Sequence, residues 1–392
     1  MKILVISALV PAESKKGYQV ISFYRLAYLA RSHEIQVICF GHTEDDLAAK
    51  YRLESLGISV QMFRWSKLIA GLNVLQSLFD ARTPFQCALF RSRDFRKAIA
   101  ALLLQFQPDV VYGVTIRTLG NLVGYSGPLV VDMVDSMGLN FSRRVTLAKG
   151  LKKFVLNTEY QRVKEYEKRV AQWALRSFVV SSIDQNVIGC DKVGVIPLGI
   201  DTRHFFQQSD GRSDPVVVFT GSMHYKPNVD AVLWFYRNCW IKLQQAVPEV
   251  RLVIAGSNPT KEIIALRADK NVTVTGRVPS LAGILNASRV SIAPMQSGSG
   301  MQFKILEAMA CGVPVVASTL GLGDIAAVDD KEILLADTPE SFTHAVVSLL
   351  RFEDLRVRIG EAGIRYVHQN HSWDALNNHF EQSVIEELRC SI

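Results

Sequence analysis

Short apolar runs rich in Val, Ile and Leu alternate with helical periodicity along the chain, stop at a polar stretch near residue 210, and then begin again. In the first half the runs fall at residues 3–8, 35–40, 58–63, 110–113 and 129–133, with shorter ones at 177–181 and 194–196, and the helical patterns between them include 19–31 and 93–105. Strands that are apolar throughout, rather than alternately, belong to parallel sheets covered on both faces and joined by right-handed crossovers. Residues 207–215 carry turn signals and few apolar side chains, which marks a linker. The alternation resumes with runs at 216–220, 251–255, 272–275, 290–293 and 315–317, and ends in helical patterns at 340–351, 353–369 and 373–389. The expectation is an α/β protein of two successive Rossmann-like domains, 1–200 and 201–372, with residues 373–392 packing back on the first.

The 392 residues, 48% apolar and 21% charged, can bury a sizeable core, so disorder and fibrous repeats are excluded. Six scattered cysteines with no Cys-x-x-Cys pair point to neither a zinc site nor a disulfide framework. Gly, Pro or charge interrupts every candidate for the ~20 apolar residues that span a bilayer. Residues 1–12 resemble a short signal peptide but are better explained as a buried first strand, and a cytoplasmic protein is expected.

Charge is uneven. Residues 1–210 hold 27 Lys and Arg against 18 Asp and Glu, whereas residues 211–392 hold 17 against 19. The densest basic cluster comprises Arg143, Arg144, Lys149, Lys152, Lys153, Arg162, Lys164, Lys168 and Arg169. It is interleaved with Phe141, Leu147, Leu151 and Phe154, a combination suited to the inner face of a cell membrane or to an anionic acceptor rather than to nucleic acid. The alternative is a solvated helix whose bases pair with Glu159, Glu165 and Glu167.

In open α/β sheets ligands bind beyond the carboxyl ends of the strands, and three loops of the second half stand out there. Residues 219–228 place His224 and Lys226 between a strand end and the next helix, with Lys226 set to meet phosphate. Residues 295–307 run through Gly298, Ser299, Gly300 and Met301 into a helix carrying Lys304 and Glu307. Free N–H groups at such a helix start form an anion site. Glu307, about two turns or ~10 Å beyond Gly300, suits ribose hydroxyls. Residues 275–279, with Val278, form a strand-end turn whose backbone can read the edge of a base.

The run Glu307-Ala308-Met309-Ala310-Cys311-Gly312-Val313-Pro314, with the Gly-rich turn before it, resembles the donor-binding signature of family 4 glycosyltransferases. The Lys226 loop, the linker at 196–201 and the first strand with Gly17 match in the same order. The resemblance implies a GT-B fold: two Rossmann-like domains facing a cleft, acceptor on the first and nucleotide sugar on the second. It implies retaining transfer from a UDP- or GDP-sugar without a cofactor or essential metal, the leaving diphosphate being stabilised by Lys226 and the helix start. Consistently, the chain contains no Asp-x-Asp. Gly17 would let the diphosphate approach the backbone. The family's usual strand-end His-Asp aligns with Val134-Asp135, leaving Asp135 as the catalytic candidate, orienting a hydroxyl. Ser299 replaces a usual glutamate near the donor sugar, and Ser222 the usual arginine, so that Lys304 or His224 would assist Lys226. Arg117, Arg143 and Arg144 are the acceptor-binding candidates.

The expected function is hexosyl transfer to a lipid-linked or other glycan acceptor in bacterial surface polysaccharide biosynthesis. A dinucleotide-dependent oxidoreductase fails on motif, since Phe303 stands where the Gly-x-Gly-x-x-Gly fingerprint needs glycine. A phosphorylase or epimerase on the same fold is excluded only by the resemblance. A catalytically inactive GT-B protein that binds nucleotide sugar or glycan is the remaining alternative.

Overall fold

The computed structural model of the protein describes residues 1–13, 17–80, 82–208, 214–297 and 302–390. It divides into two compact units, Met1–Leu198 with Leu376–Ile392, and Gly199–Ala375.

The first unit holds a seven-stranded sheet of β1 (Lys2–Ser7), β2 (Glu34–Phe40), β3 (Ser59–Phe63), β4 (Val110–Val114), β5 (Leu129–Val134), β6 (Arg176–Val179) and β7 (Val193–Val195). Its order is β3-β2-β1-β4-β5-β6-β7. All pairings are parallel; β1 sets Ile3 opposite Ile35 on one side and opposite Val110 on the other. The second unit holds β8 (Val216–Thr220), β9 (Arg251–Ala255), β10 (Val272–Gly276), β11 (Val290–Ala293), β12 (Val315–Ala317) and β13 (Leu334–Leu335), in the order β10-β9-β8-β11-β12-β13. The expected α/β class and both Rossmann-like sheets are therefore present. In each sheet the order reverses once, between β1 and β4 and between β8 and β11. These reversals are where loops part and leave room for a ligand.

The strands bury both faces, as their composition requires: Leu4, Val5 and Ile6 of β1 and Val217, Val218 and Phe219 of β8 have no exposed surface. The final helix, Trp373–Cys390, sends Leu376, Phe380 and Val384 into the core of the first unit. There the Phe380 ring lies 5.4 Å from Tyr112 and 4.9 Å from Phe178, centroid to centroid.

The long basic helix Gly150–Trp173 corrects one expectation. Glu159 and Glu167 do not pair with neighbouring bases but turn inward and are buried. Glu159 accepts from the backbone N–H groups of Phe85 and Gln86 at 2.8 and 2.9 Å. Glu167 accepts from Met137 N–H at 2.6 Å and from the Ser136 hydroxyl at 3.0 Å, capping the helix Met137–Leu147. Each carboxylate satisfies donors that a helix start otherwise leaves unpaired. The lysines and arginines of this helix are left facing solvent, apart from half-buried Arg162.

Candidate active site

In the second unit the site is built on the ends of β8 and β11. Beyond β8 the backbone turns at Gly221, with φ +149°, where a Cβ would fall 2.7 Å from Asn228 Nδ2. Gly256, at the end of β9, is tighter: a Cβ there would lie 1.7 Å from the Gly221 carbonyl oxygen. Only glycine lets these two backbones meet.

Asn228, buried on the helix Lys226–Phe235, donates from Nδ2 to the Ser222 carbonyl at 3.0 Å and accepts from Lys304 Nζ at 2.9 Å. Lys304 lies on the helix Phe303–Ala310 and also donates to Gln302 Oε1 at 2.8 Å. Its ammonium sits 5.1 Å above the Phe219 ring and 3.8 Å from Met295 Sδ. This largely apolar, buried setting lowers its pKa to about 8, Glu307 opposing the shift.

Glu307, one turn further along the same helix, is half-buried, and its carboxylate has no hydrogen-bond or ion-pair partner among the described residues. Desolvation pushes its pKa up to about 7 against the attraction of Lys304. A lysine and a carboxylate, both close to neutral pH in their titration, thus stand side by side at the strand-order reversal. Thr220 Oγ1, at the end of β8, is buried without a partner among the described residues. A buried polar group of that kind is satisfied when a polar ligand arrives.

The remaining donor-site candidates are placed as follows. Lys226 is 80% exposed, its ammonium 2.5 Å from Asp230. His224 is exposed and shares a 2.9 Å hydrogen bond with Ser222. Val278 is half-buried in the turn after β10, where Gly276 has φ +70°. Gly298, Ser299, Gly300 and Met301 lie outside the described residues.

In the first unit Asp135 follows β5 directly. It accepts a 2.6 Å hydrogen bond from Asn140 Nδ2. The side chain is open to solvent, yet desolvation by the surrounding protein holds its pKa above the usual carboxylate value, only partly offset by Asn140. The residue before it, Val134, has φ +68°. For a β-branched side chain this left-handed backbone is costly.

Gly17 has φ +65°, and a Cβ there would meet open space. Glycine suits this left-handed backbone, which a larger side chain adopts only at a cost. Arg117 stacks over the Tyr18 ring at 5.6 Å. Arg117 Nε, Tyr18 OH and Thr118 Oγ1 are buried polar atoms without partners among the described residues; Arg117 and Thr118 follow β4, and Tyr18 opens the helix Tyr18–Leu29. Arg143 and Arg144 lie on the exposed surface of the helix Met137–Leu147, about two turns or ~10 Å past its start.

Asn228 and Tyr18 are not evident from sequence as site residues, whereas Asp132, three residues before Asp135, reads from sequence as a support for it. Asn228 gives only a weak signal, an amide two residues beyond a lysine at a helix start.

Residues 214–351 match the family model Glycosyl transferases group 1. The chain is 28% identical over 206 residues to a D-inositol 3-phosphate glycosyltransferase of Segniliparus rotundus, covering 47% of this chain and 44% of that protein. It is likewise 28% identical over 227 residues to an MMP alpha-(1->4)-mannosyltransferase of Mycolicibacterium hassiacum, covering 54% of each. The chain thus spans about half the length of the curated relatives it matches. The structure of Anabaena HepE in complex with UDP superposes with a TM-score of 0.66 at 14% identity, over 98% of this chain and 100% of that one. Two parallel sheets of this order, the structural likeness and the group 1 match agree with the resemblance read from the sequence: the fold is that of the GT-B proteins, and residues 214–351 are similar to the group 1 glycosyl transferases.

Proposed function

We propose that the protein is a retaining glycosyltransferase that moves a sugar from a UDP- or GDP-sugar to a lipid-linked or other glycan acceptor, in bacterial surface polysaccharide assembly. The observation that carries this reading is the buried Lys304, held by Asn228 and Gln302 beside Glu307, whose carboxylate has no hydrogen-bond partner among the described residues, at the strand-order reversal. In the reaction the bond from the anomeric carbon to the diphosphate oxygen breaks, a bond to the acceptor hydroxyl oxygen forms, and the hydroxyl proton passes to the departing diphosphate oxygen. Lys304, with Lys226, compensates the charge that develops on the diphosphate; Glu307 accepts from ribose hydroxyls. Asp135 orients a hydroxyl in the first unit, where Arg117 and Tyr18 supply donors.

The test is thermal unfolding with UDP, GDP, ADP and CMP and their sugars, with NAD as control. A ligand that binds only the native state raises the melting temperature. A rise with one diphosphate and its sugar supports the reading and names the base; no rise with any nucleotide, in folded protein, removes it. Transfer or hydrolysis of that sugar nucleotide separates an enzyme from an inactive binding protein, a reading that Ser299 and Val134 in place of the usual Glu and His keep in play.

Lys226→Ala is expected to weaken nucleoside diphosphate binding roughly threefold, because its ammonium is solvated, and Glu307→Ala about tenfold or more. Titration calorimetry on folded variants checks both. Unchanged affinity in the pair contradicts the site assignment.

A membrane-facing first unit also belongs to this reading. The helix Lys67–Ser77 exposes Leu68, Ile69, Leu72 and Leu75, followed by Leu78 and a 95% exposed Phe79, and residues 64–79 contain no acidic side chain. Arg162 of the basic helix donates to the Ser77 carbonyl at 2.8 Å, which joins this surface to the helix that exposes Leu151, Phe154, Lys152 and Lys153. Apolar side chains with cations around them fit an anionic bilayer. No helix of the described residues is long and apolar enough to cross a membrane. Co-flotation with phosphatidylglycerol vesicles but not phosphatidylcholine vesicles is expected, and its loss in Leu72→Glu/Phe79→Glu; equal behaviour of the variant would rule the surface out.

A further inference from the structure

Behind Asp135 lies a buried ionic cluster that the reaction as proposed does not use. Asp132 of β5 is 2% exposed and pairs with Arg25 of the helix Tyr18–Leu29, also 2% exposed. Tyr112 OH donates to the same carboxylate oxygen, Oδ2, at 3.1 Å, and Arg25 Nη1 lies 3.4 Å from that hydroxyl. Arg25 Nε is 3.4 Å from Asn377 Oδ1 on the last helix, and the guanidinium lies 4.3 Å from the centre of the Phe380 ring. Asn377, fully buried, donates in turn to the Tyr24 carbonyl at 3.1 Å.

The second oxygen, Asp132 Oδ1, accepts from the Val134 N–H at 3.1 Å. The ladder from β5 to β6 skips a residue at this point, pairing Asp132 with Phe178 and Val134 with Val179. Asp135 N–H folds back onto the Met133 carbonyl at 2.9 Å. A valine at φ +68° persists only where its surroundings over-determine it. Here the Asp132 carboxylate captures the N–H of that same valine.

We propose that Asp132 is a positioning residue for Asp135. One carboxylate oxygen, anchored by Arg25 and Tyr112, fixes the carboxylate; the other holds Val134 in its left-handed conformation and so aims the following side chain. Through Arg25, the seat of the last helix at Asn377 and Phe380 bears on the same geometry. This assignment rests on the reading of Asp135 as the group that orients a hydroxyl.

The test uses the full chain. Asp132→Asn cannot accept at both oxygens and is expected to lower kcat about tenfold to a hundredfold, with nucleoside diphosphate affinity and KM for the donor unchanged, as a small misplacement of a catalytic group does. Asp132→Asn/Val134→Gly is expected to recover at least about threefold of that loss, because glycine holds a positive φ without help. A carboxylate needed only for stability would give no such rescue. A crystal structure of Asp132→Asn should show Val134 at negative φ and Asp135 displaced. Should Asp132→Asn fail to fold, Tyr112→Phe removes one donor to the same carboxylate while keeping the ring, and a severalfold fall in kcat at constant KM is expected.

Wild-type kcat in folded Asp132→Asn, or Val134 unmoved in its structure, overturns the proposal, as does a double variant no better than the single. Full turnover in Asp135→Asn would instead overturn the catalytic reading of Asp135, and the position of Val134 would still decide what Asp132 does.

Discussion

Lys304→Met is expected to weaken nucleoside diphosphate binding roughly ten- to a hundredfold, the usual cost of losing a charged hydrogen bond, while the fold is kept. Methionine retains the length and apolar stem of the side chain that packs near Phe219 and Met295, so the core is little disturbed. What disappears is the one buried ammonium at the strand reversal among the described residues, together with the donor to Asn228 and Gln302.

The same lysine gives a pH signature. Its pKa in the free protein is lowered to about 8, and a bound diphosphate favours the charged form and raises that value. Binding therefore takes up a proton, and affinity should fall as pH rises above about 8, by at most about tenfold per unit. In the free protein the sign is opposite. A lysine with a depressed pKa binds fewer protons folded than unfolded, so its contribution to stability rises between about 8 and the ordinary value near 10.5. Calorimetry at pH 7 and 9 checks the binding slope, which should be absent in Lys304→Met. A slope that survives the substitution would move the titration to another group.

Asp135→Asn should leave diphosphate affinity unchanged and lower turnover about a hundredfold or more, in the range expected for removing a positioned carboxylate. The amide keeps the shape and still meets Asn140, which can rotate its own amide to suit, so the contact at 2.6 Å need not be lost. A variant with full turnover removes Asp135 from the chemistry. Raised affinity with reduced turnover would indicate that the carboxylate repels the donor instead.

The strands were legible because a parallel sheet demands continuous apolar runs, and the runs at 216–220, 251–255, 290–293 and 315–317 coincide with β8, β9, β11 and β12. β13 escaped because Leu334 and Leu335 are only two residues, too few for any period. The helix Lys67–Ser77 escaped for a different reason: its apolar side chains face solvent, so no partner element in the sequence pointed to it.

Within the candidate site, Lys304 and Glu307 could be read from one helical face. The Lys304–Asn228 bond spans 76 residues and the Arg25–Asp132 pair 107, and nothing in local spacing reports such meetings. Glu159 and Glu167 show the limit most directly. On a basic helix they read as local charge partners, but each finds donors on another helix start more than 25 residues away.

The first unit is built from two stretches with the whole of the second unit between them in sequence, and this bears on how it is made. Until residues 376–384 have left the ribosome, the places that Leu376, Phe380 and Val384 fill in the first unit stay open and Arg25 lacks Asn377. The second unit, continuous from Gly199 to Ala375, meets no such wait. A chain cut after Ala375 would keep the second unit whole while leaving the first with an open apolar seam.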